Sequence, residues 1–121
     1  MQVSFASLAG QHSSCSASAP LSLYCNSAIH RTCAAQGSVS GVGPVEHSAT
    51  DATILCVKHA KVYQVSFSTL ATHHSGCGAS ASFVPACQAA INRYCASLGH
   101  ATGFGPVEQN LDAWVTCLDT Q

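Results

Sequence analysis

The chain has 121 residues, of which four are Lys or Arg and five are Asp or Glu, for a formal net charge of −1. So few cations leave no basic stripe for a phosphate backbone and no polybasic segment for an anionic membrane surface, which argues against nucleic-acid and electrostatic membrane partners. No apolar run approaches a membrane span, so no membrane insertion is expected, and a chain with 47% hydrophobic residues and eight cysteines is too apolar for disorder.

Val3 and Phe5 alternate with Ser4, which predicts a half-buried first strand. A small-residue loop follows, from His12 to Pro20. Cys25, Ile29 and Cys33 then recur every fourth residue with Ala28 beside them, predicting a helix over Leu23 to Gln36 with Gly37 at its C-terminal cap. Two strands are expected at Ser38 to Val45 and Ala52 to Val57, with Glu46 to Asp51 as the loop between them. Residues Lys58 to Val62 form a short linker, after which the whole pattern returns.

The return is explicit. At an offset of 62 residues, 24 of the 45 positions from Gln2 to Glu46 are identical to those from Gln64 to Glu108. One deletion near Asn110 then moves Asp51, Ala52 and Cys56 onto Asp112, Ala113 and Cys117. The expected architecture is therefore α+β: two tandem β-α-β-β units, each a small antiparallel sheet carrying one helix, related by a pseudo-two-fold axis. The units are assigned to residues 1–60 and 61–121.

Each unit is near the size at which burial alone is marginal. Each also carries four cysteines, Cys15, Cys25, Cys33 and Cys56, then Cys77, Cys87, Cys95 and Cys117, with no CxxC, which reads as disulfides rather than zinc ligands. The two helix cysteines of a unit lie about 12 Å apart along the axis, too far to bond each other. Chain direction brings Cys15 to Cys25 at the start of the helix and Cys56 to Cys33 at its end, and likewise Cys77 to Cys87 and Cys95 to Cys117. Disulfides predict an oxidising setting for the working protein, extracellular or periplasmic, and secretion is the expected localisation. Met1 to Gly10 has neither the basic start nor the apolar run of a signal peptide, as expected of a mature chain.

Of the nine charged side chains, six form matched pairs: Arg31 with Arg93, Glu46 with Glu108, Asp51 with Asp112. His12 and His74 are the only matched histidines, each followed by a serine, Ser13 or Ser75. Surface charges usually drift at little cost, so matched ones point to a shared role. In a β-α-β-β unit the His-Ser loop and the Glu46 to Asp51 loop fall at the same end, which would gather His12, Ser13, Glu46 and Asp51, with Arg31 reaching over as a ligand contact or a loop tie. The second site would hold His74, Ser75, Arg93, Glu108 and Asp112. The repeated Gly-x-Gly-Pro-Val-Glu segment reads as a bent strand entering a turn. It lacks the lysine and the following helix of a phosphate loop.

A shallow polar cluster with little net charge suits a neutral polyhydroxyl ligand. The expected function is a secreted, bivalent lectin that recognises glycans or glycoproteins without catalysis, cofactor or metal. Homo-oligomer formation is left open. The competing readings are an extracellular self-assembling protein whose strand edges form junctions, or a small glycan hydrolase or inhibitor. Tyr94, Phe104 and Trp114 replace Thr32, Val42 and Thr53 in the second copy, so the two sites should differ in affinity if aromatic rings stack on sugar.

Overall fold

The computed structural model describes residues 1–119 of the chain. It is α+β, with four helices, two three-stranded antiparallel sheets and four disulfides. The chain divides into two compact units, Met1–Lys58 and His59–Gln121. In the first, β1 (Gln2–Ser4) leads into α1 (Phe5–Gln11), α2 (Leu23–Ala35), β2 (Ser40–His47) and β3 (Asp51–Val57), with strand order β1-β3-β2. The second repeats this with β4 (Ala60–Ser66), α3 (Phe67–His73), α4 (Pro85–Ser97), β5 (Thr102–Gln109) and β6 (Asp112–Leu118), in the order β4-β6-β5.

Each unit therefore has two helices where the periodicity predicts one. The first strand stops at Ser4, whose hydroxyl accepts the Ser7 N–H at 3.0 Å and caps α1. Phe5 and Leu8, one turn apart, are both buried, so Phe5 begins a helix rather than ending a strand. Ser66 caps α3 in the same way through the Thr69 N–H, and Phe67 and Leu70 are buried in turn.

The longer helices keep their predicted extent to within a residue or two. Ser22 caps α2, whereas Pro85 opens α4 without a side-chain cap. At the far end Gly37 has φ +90°, with Ser38 N–H bonded to the Cys33 carbonyl and Gly37 N–H to that of Ala34, a paired closure that satisfies the last carbonyls.

Each unit has its own core. In the first, Phe5, Leu8, Ala28 and Ile29 pack with Ala52 and Ile54 around Cys15, Cys25 and Cys33. In the second, Phe67, Leu70, Ala90 and Ile91 pack with Ala113 and Val115 around the matching cysteines. The disulfides join Cys15 to Cys25, Cys33 to Cys56, Cys77 to Cys87 and Cys95 to Cys117, the pairing that chain direction requires, with Cα separations of 4.5 to 5.3 Å. One bridge in each unit ties the loop to the start of the long helix. The other ties the end of that helix to the central strand.

The second bridge explains one of the matched glycines. A Cβ on Gly41 would stand 2.2 Å from Cys33 Sγ, and one on Gly103 would stand 2.2 Å from Cys95 Sγ. Helix and sheet touch there with no room for a methyl group. Gly41→Ala and Gly103→Ala should each destabilise the protein by about 1–3 kcal/mol through overpacking. Urea unfolding of the oxidised variants checks this; a midpoint unchanged from the parent would refute the close approach.

Candidate functional site

The central strand β3 sorts the first sheet into two faces. Ala52 and Ile54 are buried against the helices, so Asp51, Thr53 and Leu55 point outward. Gln2 on β1 and Glu46 on β2 both pair with Thr53 and lie in its row across the sheet. Together with His47, Ser48 and Asp51, these residues line a shallow depression of about 330 Å³. Glu46 is exposed and Asp51 half-buried.

Glu46 reaches this row because of the Gly-Pro-Val segment. Between Val42, opposite Leu55, and Glu46, opposite Thr53, three residues of β2 face Ile54 alone. Two extra residues keep the in-out alternation, so Glu46 remains on the outer face. Gly43 takes φ +147° to make the bulge, and the Gly43–Pro44 bond is cis. The second unit repeats it at Gly105 and Pro106, so that Glu108 lies opposite Trp114.

Asp51 is held by the hairpin turn. Ser48 Oγ accepts the backbone N–H groups of Thr50 and Asp51 at 3.3 and 3.1 Å, and the Thr50 hydroxyl donates to Asp51 Oδ2 at 3.2 Å. In the second unit Asn110 Oδ1 accepts the Asp112 N–H at 3.0 Å, and Gln64 Nε2 donates to Asp112 Oδ2 at 3.0 Å. The row there is Gln64, Trp114, Glu108, with Asp112 beside it. The deletion between the copies falls in this hairpin tip, outside the row.

The two units differ in exposure along this strand. Val45 is 67% exposed, whereas the matched Val107 is 1% exposed and Glu108 is half-buried where Glu46 is exposed.

His12 and Arg31 stand elsewhere. The helix α1 separates the end of β1 from His12 by seven residues, about 10 Å of helix rise. Ser4, at the start of α1, pairs with Asp51; His12 is the cap residue at its end. His12 Nδ1 accepts the Ser14 N–H at 3.3 Å, its ring lies 5.2 Å from that of Tyr24, and Ser13 is exposed beside it. His74 Nδ1 likewise accepts the Gly76 N–H at 3.0 Å, next to exposed Ser75. Arg31 Nη1 donates to the Gln11 carbonyl at 2.8 Å, and Arg93 Nη1 to the His73 carbonyl at 2.7 Å. Each guanidinium thus meets the carbonyl end of the short helix, where the helix dipole favours a cation. The matched list divides into a carboxylate set at one end of α1 or α3 and a histidine-arginine set at the other.

Gln2 and Gln64 join the carboxylates although the charge comparison passes over them. Their signal is an identical, uncharged polar pair out of phase with Val3 and Val65. Among the described residues, no group of three or more His, Cys, Asp or Glu is placed to hold a metal ion. No helix among the described residues is long and apolar enough to cross a membrane. No protein-family model, curated protein or solved structure matches the chain.

If Arg31 and Arg93 tie the short helices to the long ones, removing either guanidinium costs stability rather than binding. Arg31→Met and Arg93→Met should each lose about 1–2 kcal/mol, the order of a charge-assisted hydrogen bond. Equilibrium urea unfolding measures it. Full stability in both variants would return the arginines to the list of ligand contacts.

Proposed function

We propose that the protein is a secreted lectin that binds neutral carbohydrate, without catalysis, on the outer face of each three-stranded sheet. The observation that carries this reading is the placement of charge: four of the five acidic residues, Glu46, Asp51, Glu108 and Asp112, lie on or beside these two faces, in matching positions. Each carboxylate accepts hydrogen bonds from sugar hydroxyls, and the amide of Gln2 or Gln64 both donates and accepts. A shallow, open depression of about 330 Å³ suits a terminal sugar or a single residue of a chain better than an enclosed substrate. Paired carboxylates also repel an anionic ligand, so sialylated and sulfated glycans are disfavoured. Four disulfides in so short a chain fit secretion, and two faces on one chain provide the avidity a glycoprotein surface rewards.

A glycan array should show binding to neutral or amino sugars, lost when Glu46→Gln and Asp51→Asn are combined with Glu108→Gln and Asp112→Asn. An array blank across neutral, amino and acidic glycans, with the disulfides intact, would sink the proposal.

The second face should be the tighter one if its ring stacks on sugar, because Trp114 stands where the first has Thr53. Trp114 is the single tryptophan of the chain, so its fluorescence reports on this face alone. Titration with a sugar found on the array should shift its emission, and Trp114→Thr should weaken that site by about 1 kcal/mol. Binding with unchanged emission would assign recognition to the first face.

A further inference from the structure

The second unit holds a chain of polar side chains that the first unit lacks. Tyr63 on β4 has its hydroxyl 2.7 Å from His100 Nε2, and His100 Nδ1 lies 2.5 Å from Asp119 Oδ1. His100 follows α4, and Asp119 follows β6. The positions that match Tyr63, His100 and Asp119 in the first copy are Met1, Ser38 and Lys58. The first unit has the same strand order and the matching disulfide without any of the three, but its first strand has three residues where β4 has seven, and Tyr63 lies in the part of β4 that β1 lacks. Neither the strand order nor the disulfide calls for these side chains.

Hydrogen-bonding capacity assigns the roles. An ionised Asp119 can only accept, so His100 Nδ1 carries the hydrogen; in the neutral ring Nε2 is then an acceptor, and the Tyr63 hydroxyl donates to it. A carboxylate orients an imidazole, and the imidazole takes the proton of a hydroxyl. This is the logic of an activated nucleophile with a phenol in the hydroxyl position. The His100 side chain is 12% exposed, which shields the relay, while Tyr63 itself is half-buried at the surface. Lys61 Nζ lies over the Tyr63 ring, 5.1 Å from its centroid, which sets a positive charge against the ring face.

We propose that Tyr63 is a nucleophilic tyrosine, a site of covalent modification by acyl- or sulfonyl-class electrophiles, activated by His100 and positioned through Asp119. In the step, Tyr63 Oη bonds to the electrophilic carbon or sulfur as its proton passes to His100 Nε2. The bond to the leaving group breaks, the leaving group departs with the proton from His100, and Tyr63 keeps the acyl or sulfonyl group. No oxidant or metal takes part. The site is separate from the carbohydrate faces and does not depend on them.

The three tyrosines of the chain supply the controls. Tyr24 is 52% exposed, with the His12 ring 5.2 Å from its own, so it controls for accessibility and for a nearby imidazole not held by a carboxylate in such a relay. Tyr94 packs edge-on against Tyr63, and burial, reinforced by the neighbouring Tyr63, raises its phenol above the ordinary value. The full oxidised protein is treated with an arylsulfonyl fluoride, which leaves a tyrosyl sulfonate that survives digestion, and the labelled peptides are quantified by mass spectrometry. Tyr63 should label faster than Tyr24 by more than about tenfold, the lower end of what a positioned base supplies being larger still. Asp119→Asn and His100→Gln should bring the Tyr63 rate down to that of Tyr24, and Tyr63→Phe should leave Tyr24 labelling unchanged. The pH profile separates activation from packing. In the parent, Tyr63 labelling should persist toward neutral pH where Tyr24 labelling has faded, and in Asp119→Asn the two profiles should coincide. Equal labelling of Tyr63 and Tyr24 in the parent, or a Tyr63 rate untouched by both substitutions, would overturn the assignment. Near-ultraviolet circular dichroism of each variant shows that its fold is retained. If a variant loses its fold, the Tyr63 to Tyr24 ratio and pH profile of the parent decide alone.

Discussion

The contact on which each unit depends is the one between the end of its long helix and its sheet, where Cys33 meets Cys56 across Gly41 and Cys95 meets Cys117 across Gly103. A unit of some sixty residues buries too little apolar surface to hold a helix against three short strands by burial alone. A bridge from α2 to β3 or from α4 to β6 constrains the unfolded chain, typically by about 2–4 kcal/mol, and fixes the helix over the sheet at one end. The bridge between the loop and the start of the helix fixes the other end. With the helix bridged to the sheet at one end and to the loop at the other, one sheet face is committed to the core and the opposite face is free to carry polar residues. The cysteines and Gly41 therefore belong to the same device, and their joint retention in both copies needs no functional explanation.

The same constraint decides what the matched charges mean. A carboxylate on β2 faces solvent only if the in-out alternation survives the bulge at Gly43 and Pro44, and it does because the bulge adds two residues rather than one. A single extra residue would aim Glu46 at Ile29 and the disulfide. The arginines have a different origin. Arg31 and Arg93 meet the carbonyl ends of helices too short to hold themselves, since a seven-residue helix is far below the length at which helices persist in isolation. Matching between the copies is thus a mixture of two signals, one of packing and one of surface chemistry, and only coordinates separate them.

What could be read from the residues follows from the length of the pattern. The long helices span enough residues for the fourfold recurrence of Cys25, Ile29 and Cys33 to stand out, and chain direction then leaves one sensible disulfide pairing. The short helices span only seven residues, and Val3 with Phe5 satisfies a strand alternation as well as Phe5 with Leu8 satisfies a helical turn. The deciding residue is Ser4, whose cap to Ser7 is legible only once a helix is suspected. That missed helix displaced the reading of the site. It carries His12 away from Glu46 and Asp51, so a four-residue cluster expected at one end of the unit becomes two pairs at opposite ends of α1. Gln2 and Gln64 escaped notice because an uncharged side chain in a first strand carries no signal until its row across the sheet is known.

Duplication also makes the differences between the copies informative. Some are exchanges that keep one interaction with other residues: His30 Nδ1 lies 2.8 Å from Ser40 Oγ in the first unit, and in the second Thr102 Oγ1 bonds Asn92 Oδ1 from the same helix and strand positions. Such a pair is a structural tie between helix and strand, free to change identity as long as the bond remains. The Tyr63, His100 and Asp119 chain is of the other kind, since three side chains appear together where the first copy has Met1, Ser38 and Lys58. Together with the carboxylates of the two sheet faces and the arginines that reach from the long helices to the ends of the short ones, it accounts for seven of the nine charged side chains of the molecule, and Lys61 beside Tyr63 makes eight. In a chain so sparing of charge, a largely buried histidine supplied with its own carboxylate is more than the strand order and the helix-to-strand disulfide require, since the first unit has both without it.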